Sequence, residues 1–114
     1  MQLVNWHSSD TLKLLTALNN PNRLILLEFL DQNAYGTWSS LREYIYQNSP
    51  RKKRIAPSMI SWHLKELIDI GMVKRAEHDP QVFTITNLGR KAVRAIRSLL
   101  ETETEGEVGW EKPI

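Results

Sequence analysis

The stretch "SMISWHLKELIDIGMVKRAEHDPQVFTITNLGRKAV", residues 58–93, changes its hydrophobic period twice. It begins with an apolar stripe at helical spacing, formed by Ile60, Leu64, Leu67 and Ile68. Pro57 suits the first turn of this helix and Gly71 suits its end. Residues 72–77 and 82–86 then read as two short strands around a polar turn. A helix capped by Thr86 follows, so the stretch predicts helix, β-hairpin and helix.

Three more helices are predicted before this stretch. In residues 10–19, Leu12, Leu15 and Leu18 have helical spacing, with Ser9 or Asp10 as the cap. Asn20-Pro21 separates this helix from residues 22–33, which are apolar nearly all round and should lie in the centre of the core. Ser40 and Glu43 match a capping box at the start of a short third helix, which ends near residue 48.

The order of elements predicts a winged helix-turn-helix. The fold class is mostly α with a small β-hairpin (α+β), in the order α1-α2-α3-α4-β-hairpin-α5, and the third and fourth helices form the helix-turn-helix. At 114 residues the chain is expected to be one domain, residues 1–100. Residues 101–114 form an acidic segment for which we expect a flexible tail.

Composition excludes several classes of protein. The chain has no cysteine, which excludes disulfides, thiolate metal sites and cysteine nucleophiles. No apolar run approaches the roughly 20 residues of a membrane span, and the first ten residues do not resemble a secretory signal. We therefore expect a cytoplasmic protein without a membrane partner. Glycine-rich phosphate loops, paired catalytic carboxylates and a recognisable triad are also missing, so an enzyme is not expected.

Charge is distributed unevenly along the chain. The net charge is +2, yet residues 101–114 hold five glutamates and one lysine, which leaves residues 1–100 with a net charge of +6. A basic body favours a polyanionic partner, although a solvated basic surface would give the same count.

Three segments resemble ArsR-type winged-helix regulators. They are "ALNNPNRLILLEFL" (17–30), "SMISWHLKELIDIGMVKRAE" (58–77) and "VFTITNLGRKAV" (82–93). The resemblance covers roughly residues 10–100, and its central motif also fits other winged helices. It implies a homodimeric DNA-binding transcription regulator, usually a repressor.

The resemblance also implies a dimer interface on the first and last helices. The matching positions are Leu12, Leu14, Leu15, Val93, Ile96 and Leu100. Each of these could instead belong to the core of one chain. Leu14 is the best interface candidate, because it lies off the stripe of Leu12, Leu15 and Leu18.

The chain departs from the family in two places. Its lack of cysteine, and of histidine or carboxylate in residues 87–100, removes the metal-sensing residues of the family. His7, His63 and His78 are too far apart in sequence to suggest a ligand set. No cofactor and no metal effector are therefore expected. The connection between the third and fourth helices, "NSPRKKRIAP" (48–57), is longer and more basic than usual.

The DNA-binding residues are predicted from the geometry of a recognition helix, residues 57–70, in the major groove. Three groups are expected to contact DNA: Ser58, Met59, Ser61, Trp62 and Lys65 on the helix, Arg51, Lys52, Lys53 and Arg54 on phosphates, and His78 and Gln81 in the wing.

Each group has a plainer alternative. The basic run could be a solvated loop, Trp62 could pack against the protein, and the wing could only cover the core. His63 is more simply a packing residue, and Arg90, Arg94 and Arg97 a solvated row. The predicted function is sequence-specific binding of double-stranded DNA by a transcription regulator. The alternative is a winged-helix module that binds protein or RNA.

Overall fold

The computed structural model describes residues 8–49 and 55–105, with side chains as far as Glu101. Within these ranges the elements are α1 (Ser9–Leu18), α2 (Pro21–Gln32), β1 (Gly36–Thr37), α3 (Trp38–Asn48), α4 (Pro57–Asp69), β2 (Val73–Arg75), β3 (Val82–Ile85) and α5 (Asn87–Glu105). The predicted order of five helices with a hairpin before the last is confirmed. Helix α5 continues to Glu105, beyond the predicted domain boundary at residue 100. No helix in the described ranges is long and apolar enough to cross a membrane.

The hairpin is part of a three-stranded antiparallel sheet with the order β1-β3-β2. Strand β2 pairs with β3 as predicted, with Lys74 opposite Thr84. Strand β1 was not predicted; it places Gly36 opposite Phe83 on the other edge of β3. Two residues are too few to show the alternation by which a strand is recognised in a sequence. The wing is thus joined directly to the start of α3.

The core lies where α2, α3 and α4 meet the sheet and one face of α5. It consists of Leu26, Leu27, Leu30, Leu41, Ile45, Ile60, Leu64, Leu67, Met72, Val73, Phe83, Ile85 and Val93. Helix α2 supplies three fully buried leucines, which confirms its predicted central place. The apolar stripe of α4 lies in the same core, so the opposite face of α4 is free to point outward.

Helix ends follow the sequence signals with small corrections. Thr86 accepts a hydrogen bond from Gly89 N and caps α5, as predicted. Gly71, with φ +86°, ends α4 in a Schellman motif, because its N–H and that of Met72 bond to the carbonyls of Ile68 and Leu67. The predicted caps of two other helices were wrong. Ser8 caps α1, and the capping box of α3 pairs Thr37 with Ser40.

The assignment of apolar faces on α1 was wrong. Leu12 and Leu15 are 56% and 58% exposed, whereas Leu14 and Leu18 pack against the core. Leu12, Leu15 and Leu18 are spaced three residues apart, and Leu14 and Leu18 are spaced four apart. Both spacings fit one face of a helix, and the second pair is the one that packs against the core.

Helix α5 divides its apolar residues between the core and the surface. Val93 is buried in the core, which is the alternative that the sequence left open for this position. Ile96 is half-buried, while Leu99 and Leu100 are exposed. Leu88 and Ala95 of α5 form an apolar groove with Leu14 and Leu15 of α1.

A cluster of charges joins α5 to α2. The side chain of Asp31 is 4% exposed, and three guanidinium groups lie 3.3–3.5 Å from its carboxylate oxygens. They belong to Arg90, Arg94 and Arg97, which the sequence suggested as a solvated row. Their spacing places them on one face of α5, where they surround a buried carboxylate at the end of α2.

Candidate nucleic-acid interface

The outward face of α4 carries all five residues predicted for it. Ser58, Met59, Ser61, Trp62 and Lys65 are exposed, and the indole of Trp62 is 45% exposed. This separation follows from the helical period, since the buried stripe occupies the other side of the same helix. These five residues form one exposed helix face, the recognition face, with two hydroxyls and two apolar side chains beside one another.

The indole ring of Trp62 packs on the guanidinium of a buried arginine. The Cζ atom of Arg23 lies 4.8 Å from the centroid of the Trp62 ring, in a cation–π arrangement. Arg23 comes from the first turn of α2 and is 6% exposed. Trp62 thus packs with one face on the protein and still exposes nearly half of its surface, so its packing leaves part of the ring accessible to a ligand.

His63 is a packing residue, as predicted. It is 1% exposed, and its Nδ1 accepts a 3.1 Å hydrogen bond from Nε of Arg23. Its ring centroid lies 5.1 Å from that of Trp62. Burial lowers the pKa of His63, and the positive charge of Arg23 lowers it further, while Glu66 acts in the opposite direction. The imidazole is therefore held neutral with Nδ1 as an acceptor.

Ser61 is joined to α3 by an unpredicted hydrogen bond. Nε1 of Trp38, at the start of α3, donates to Oγ of Ser61 over 3.2 Å. The guanidinium of Arg42 lies 5.8 Å from the centroid of the Trp38 ring. The Ser61 hydroxyl thus has one lone pair occupied, and it keeps its proton and the other lone pair for a further partner. The exposed Arg42 adds a cation close to the recognition face.

Lys65 forms an ion pair within its own helix. Its Nζ lies 2.9 Å from the carboxylate of Asp69, one turn further along α4. This hydrogen bond raises the pKa of Lys65. Both side chains are largely exposed, so the pair is weak and Lys65 can exchange this partner for a phosphate.

The wing places its two predicted residues on the surface. His78 and Gln81 are both exposed in the connection between β2 and β3. Nη1 of Arg75 donates to the carbonyl of Pro80 over 2.6 Å, and its guanidinium lies 5.0 Å from the Phe83 ring. Trp38 N donates to the carbonyl of Gln81, which joins the wing to α3. A shallow cleft between the wing and α4 is lined by Ser61, Arg75 and Gln81.

The predicted phosphate-binding run, Arg51, Lys52, Lys53 and Arg54, lies outside the described residues. The described chain reaches Ser49 at the end of α3 and resumes at Ile55, which packs against the core. His7 is also outside the described part. Among the described residues, no group of three or more histidines and carboxylates is arranged to hold a metal ion.

Sequence reasoning missed four residues of this face: Arg23, Trp38, Arg42 and Arg75. Arg23 and Trp38 act through interactions between elements far apart in the chain, for which periodicity gives no information. Arg42 lies near Trp38 within α3, and Arg75 contacts Pro80 and Phe83 within the hairpin. One signal was present for Arg23, because a charged residue at the head of a nearly all-apolar helix needs a buried partner or an exit to solvent.

Comparison with solved structures supports the fold. Reduced HlyU from Vibrio cholerae N16961 is similar with a TM-score of 0.62 and 22% identity, over 80% of this chain and 88% of that one. NolR from Sinorhizobium fredii is similar with a TM-score of 0.64 and 21% identity, over 95% of this chain and 100% of that one. The winged-helix fold is therefore confirmed. No protein-family model and no curated protein sequence matches the chain.

Proposed function

We propose that this protein is a transcription regulator that binds double-stranded DNA sequence-specifically through α4. The observation that carries the proposal is the exposed face of that helix, where Ser58, Ser61 and Trp62 lie together and Ser61 lines a cleft with the wing. An α-helix fits the major groove of B-DNA, and hydroxyl and apolar groups on such a helix can contact base edges and thymine methyls.

Cations around this face support the same proposal. Arg42 and Arg75 are exposed next to the recognition face, on α3 and in the wing respectively. The basic run of residues 51–54 precedes α4 by two residues in the sequence. Such cations would neutralise phosphates and position the helix, while the residues of α4 would select the bases.

We further propose a homodimer formed by α1 and α5. Support comes from the large apolar side chains that one chain leaves exposed on these helices: Leu12, Leu15, Leu88, Leu99 and Leu100. Two of them, Leu15 and Leu88, line one apolar groove between the helices, and an exposed apolar surface of this kind marks an interaction site. A two-fold dimer would present two α4 helices to half-sites about one DNA turn apart. We also propose that the protein is a repressor of the ArsR type and that it is located in the cytoplasm.

One observation favours a different function. The half-exposed Trp62 with Met59 beside it would also suit the apolar centre of a protein-protein interface. In that case α4 would bind a protein, and the winged helix would not select a DNA sequence.

Selection from a random duplex pool, followed by titration at several salt concentrations, tests the proposal. We expect one enriched two-fold symmetric sequence, bound with an affinity that falls steeply with salt. Replacing residues 51–54 by alanine should flatten the log-log slope by about 0.9 for each phosphate that the variant no longer neutralises. Lys13→Ala on α1 is a control, because it removes an exposed cation outside the basic run and outside α4. Absence of any enriched sequence would overturn the proposal in favour of a protein partner.

A further inference from the structure

We propose that Trp62 is a fixed apolar contact to a thymine methyl group, and that buried Arg23 is the residue that positions it. The inference rests on the proposed function, because it assigns one base contact within the recognition helix. Two parts carry it: the way Arg23 is anchored, and the way the indole is left half-exposed above it.

Arg23 is fixed from two neighbouring elements. Its Nε donates to Nδ1 of His63 on α4 over 3.1 Å. Its Nη1 donates to the carbonyl oxygens of Ala17 and Thr16, at the end of α1, over 3.4 and 3.5 Å. These carbonyls lie in the last turn of a helix, where unsatisfied acceptors and the helix dipole favour a cation. The guanidinium plane therefore has little freedom to move.

The indole of Trp62 lies on this guanidinium. The 4.8 Å separation of Cζ from the ring centroid is within the range of a cation–π interaction, and burial of Arg23 strengthens it because little water screens the charge. The ring of His63 packs beside the indole at an angle of 53°. One side of Trp62 is thereby covered, and the exposed part is held in one orientation before any ligand binds. Such preorganisation reduces the entropy lost on binding.

The exposed part of the indole matches one chemical group of the major groove. Base edges there present hydrogen-bond donors and acceptors, with a single apolar group, the C5-methyl of thymine. Trp62 has the largest apolar side chain among the exposed residues of α4, whereas Ser58 and Ser61 on the same exposed face are polar. Met59 is the other apolar candidate, but it is 42% exposed at the rim of this face.

Uracil substitution tests the inference, since deoxyuridine lacks only the methyl group. In a duplex selected by the protein, each thymine is replaced singly by deoxyuridine and the dissociation constant is measured. At one position of each half-site the protein should bind about fourfold more weakly, as expected for one methyl group removed from water. Trp62→Ala should bind both duplexes equally. Arg23→Lys, which keeps the charge but removes the Nε hydrogen bond and the planar stack, should abolish most of the difference.

Two controls separate positioning from folding. Met59→Ala should retain the full uracil effect, and so should Arg42→Lys, which changes the exposed arginine next to Trp38. The indole N–H resonance of Trp62 in the free protein should shift in Arg23→Lys and stay in place in Arg42→Lys. Trp62→Phe should restore part of the discrimination that Trp62→Ala removes.

The outcomes distinguish this inference from the proposed function. If the protein selects a duplex but shows no uracil effect, or if the effect survives in Trp62→Ala, the thymine contact is overturned and DNA binding stands. If Arg23→Lys keeps the full effect, the positioning role is overturned. If the protein binds no duplex at all, both the inference and the proposed function fail.

Discussion

The indole Nε1 of Trp38 donates a 3.2 Å hydrogen bond to the hydroxyl of Ser61, and it joins the first turn of α3 to the exposed face of α4. The two residues belong to the two helices of the helix-turn-helix. The hydrogen bond therefore fixes a side chain of the recognition face relative to the helix that precedes it. Because it is solvent-exposed, it should contribute more to the orientation of Ser61 than to stability.

Trp38→Phe tests this hydrogen bond. The substitution removes the N–H donor and keeps an aromatic ring, so we expect the free energy of unfolding to decrease by about 0.5–1 kcal/mol. Ser61→Ala in the Trp38→Phe background should then change stability much less than it does in the original protein. Urea denaturation of the four proteins in this double-mutant cycle measures the coupling. Fully additive effects would contradict a direct interaction.

Removal of the buried carboxylate at Asp31 should destabilise the fold. Asp31→Asn leaves three guanidinium groups around a neutral side chain, and we expect a loss of about 2–3 kcal/mol in the free energy of unfolding. The partial exposure of the arginines keeps the loss at the lower end for a broken buried ion pair. Glu28→Gln, at an exposed position of the same helix, is the control and should change stability by less than about 1 kcal/mol.

Stability should fall as pH is lowered through the titration range of His63. Its pKa in the folded state is below the ordinary value of 6.5, because burial and Arg23 disfavour the imidazolium. In the window below pH 6.5 the unfolded chain then binds more protons than the folded one, and stability decreases with falling pH. Below the pKa of the folded state this contribution is fully lost.

The control for this titration is His63→Gln, which keeps an acceptor for Arg23 and does not titrate. We expect the thermal midpoint of the original protein to decrease more between about pH 7 and pH 5 than that of the variant. Equal decreases in the two proteins would show that other groups cause the acid sensitivity.

Gly89 should tolerate alanine less well than Gly71 does. A Cβ atom at Gly89 would lie 2.8 Å from Cγ1 of Ile85 and would overlap the carbonyl oxygen of Met72, a backbone atom. We expect Gly89→Ala to cost about 3 kcal/mol by overpacking. At Gly71 a Cβ atom would meet only an ordinary contact, 3.9 Å from Cδ2 of Leu88, so the positive φ is the main cost and Gly71→Ala should cost about 1 kcal/mol. Chemical denaturation would rank the two, and the reverse order would contradict this packing of α5 on Met72.

Substitutions in the proposed dimer interface should lower the mass of the protein in solution and leave its fold intact. The double substitution Leu12→Ser and Leu15→Ser removes two apolar side chains that are more than half exposed. The monomer should keep its helical circular dichroism, while sedimentation should show dissociation at micromolar concentration. Met59→Ser, on the recognition face, is the control and should leave the mass unchanged. Retention of the dimer by the double variant would place the interface elsewhere.

Local signals in the sequence predicted most of the fold. Helices begin or end as predicted at Pro57, Gly71 and Thr86, because caps and turn residues depend only on their immediate neighbours in the chain. The errors arose where a choice depends on the rest of the molecule. Leu14, and not Leu12, faces the core because of how α1 packs against α2, and strand β1 exists only because β3 is present to pair with it.

The sequence predicted only the exposed residues of the candidate site. The period of α4 was enough to place Ser58, Ser61 and Trp62 on one exposed face. The supports beneath that face were not predicted: Arg23 reaches His63 across 40 positions of sequence, and Trp38 reaches Ser61 across 23. A single sequence does not contain the packing that brings such pairs together.

Strand β1 also bears on the order in which the molecule acquires its structure. The turn between β2 and β3 is local, but the pairing of Gly36 with Phe83 requires a long chain closure across α3, α4 and β2. Long-range pairings of this kind form slowly, whereas contacts within helices form quickly. Among the described elements, we therefore expect the pairing of β1 with β3 to form after the helices and after the local β2–β3 turn.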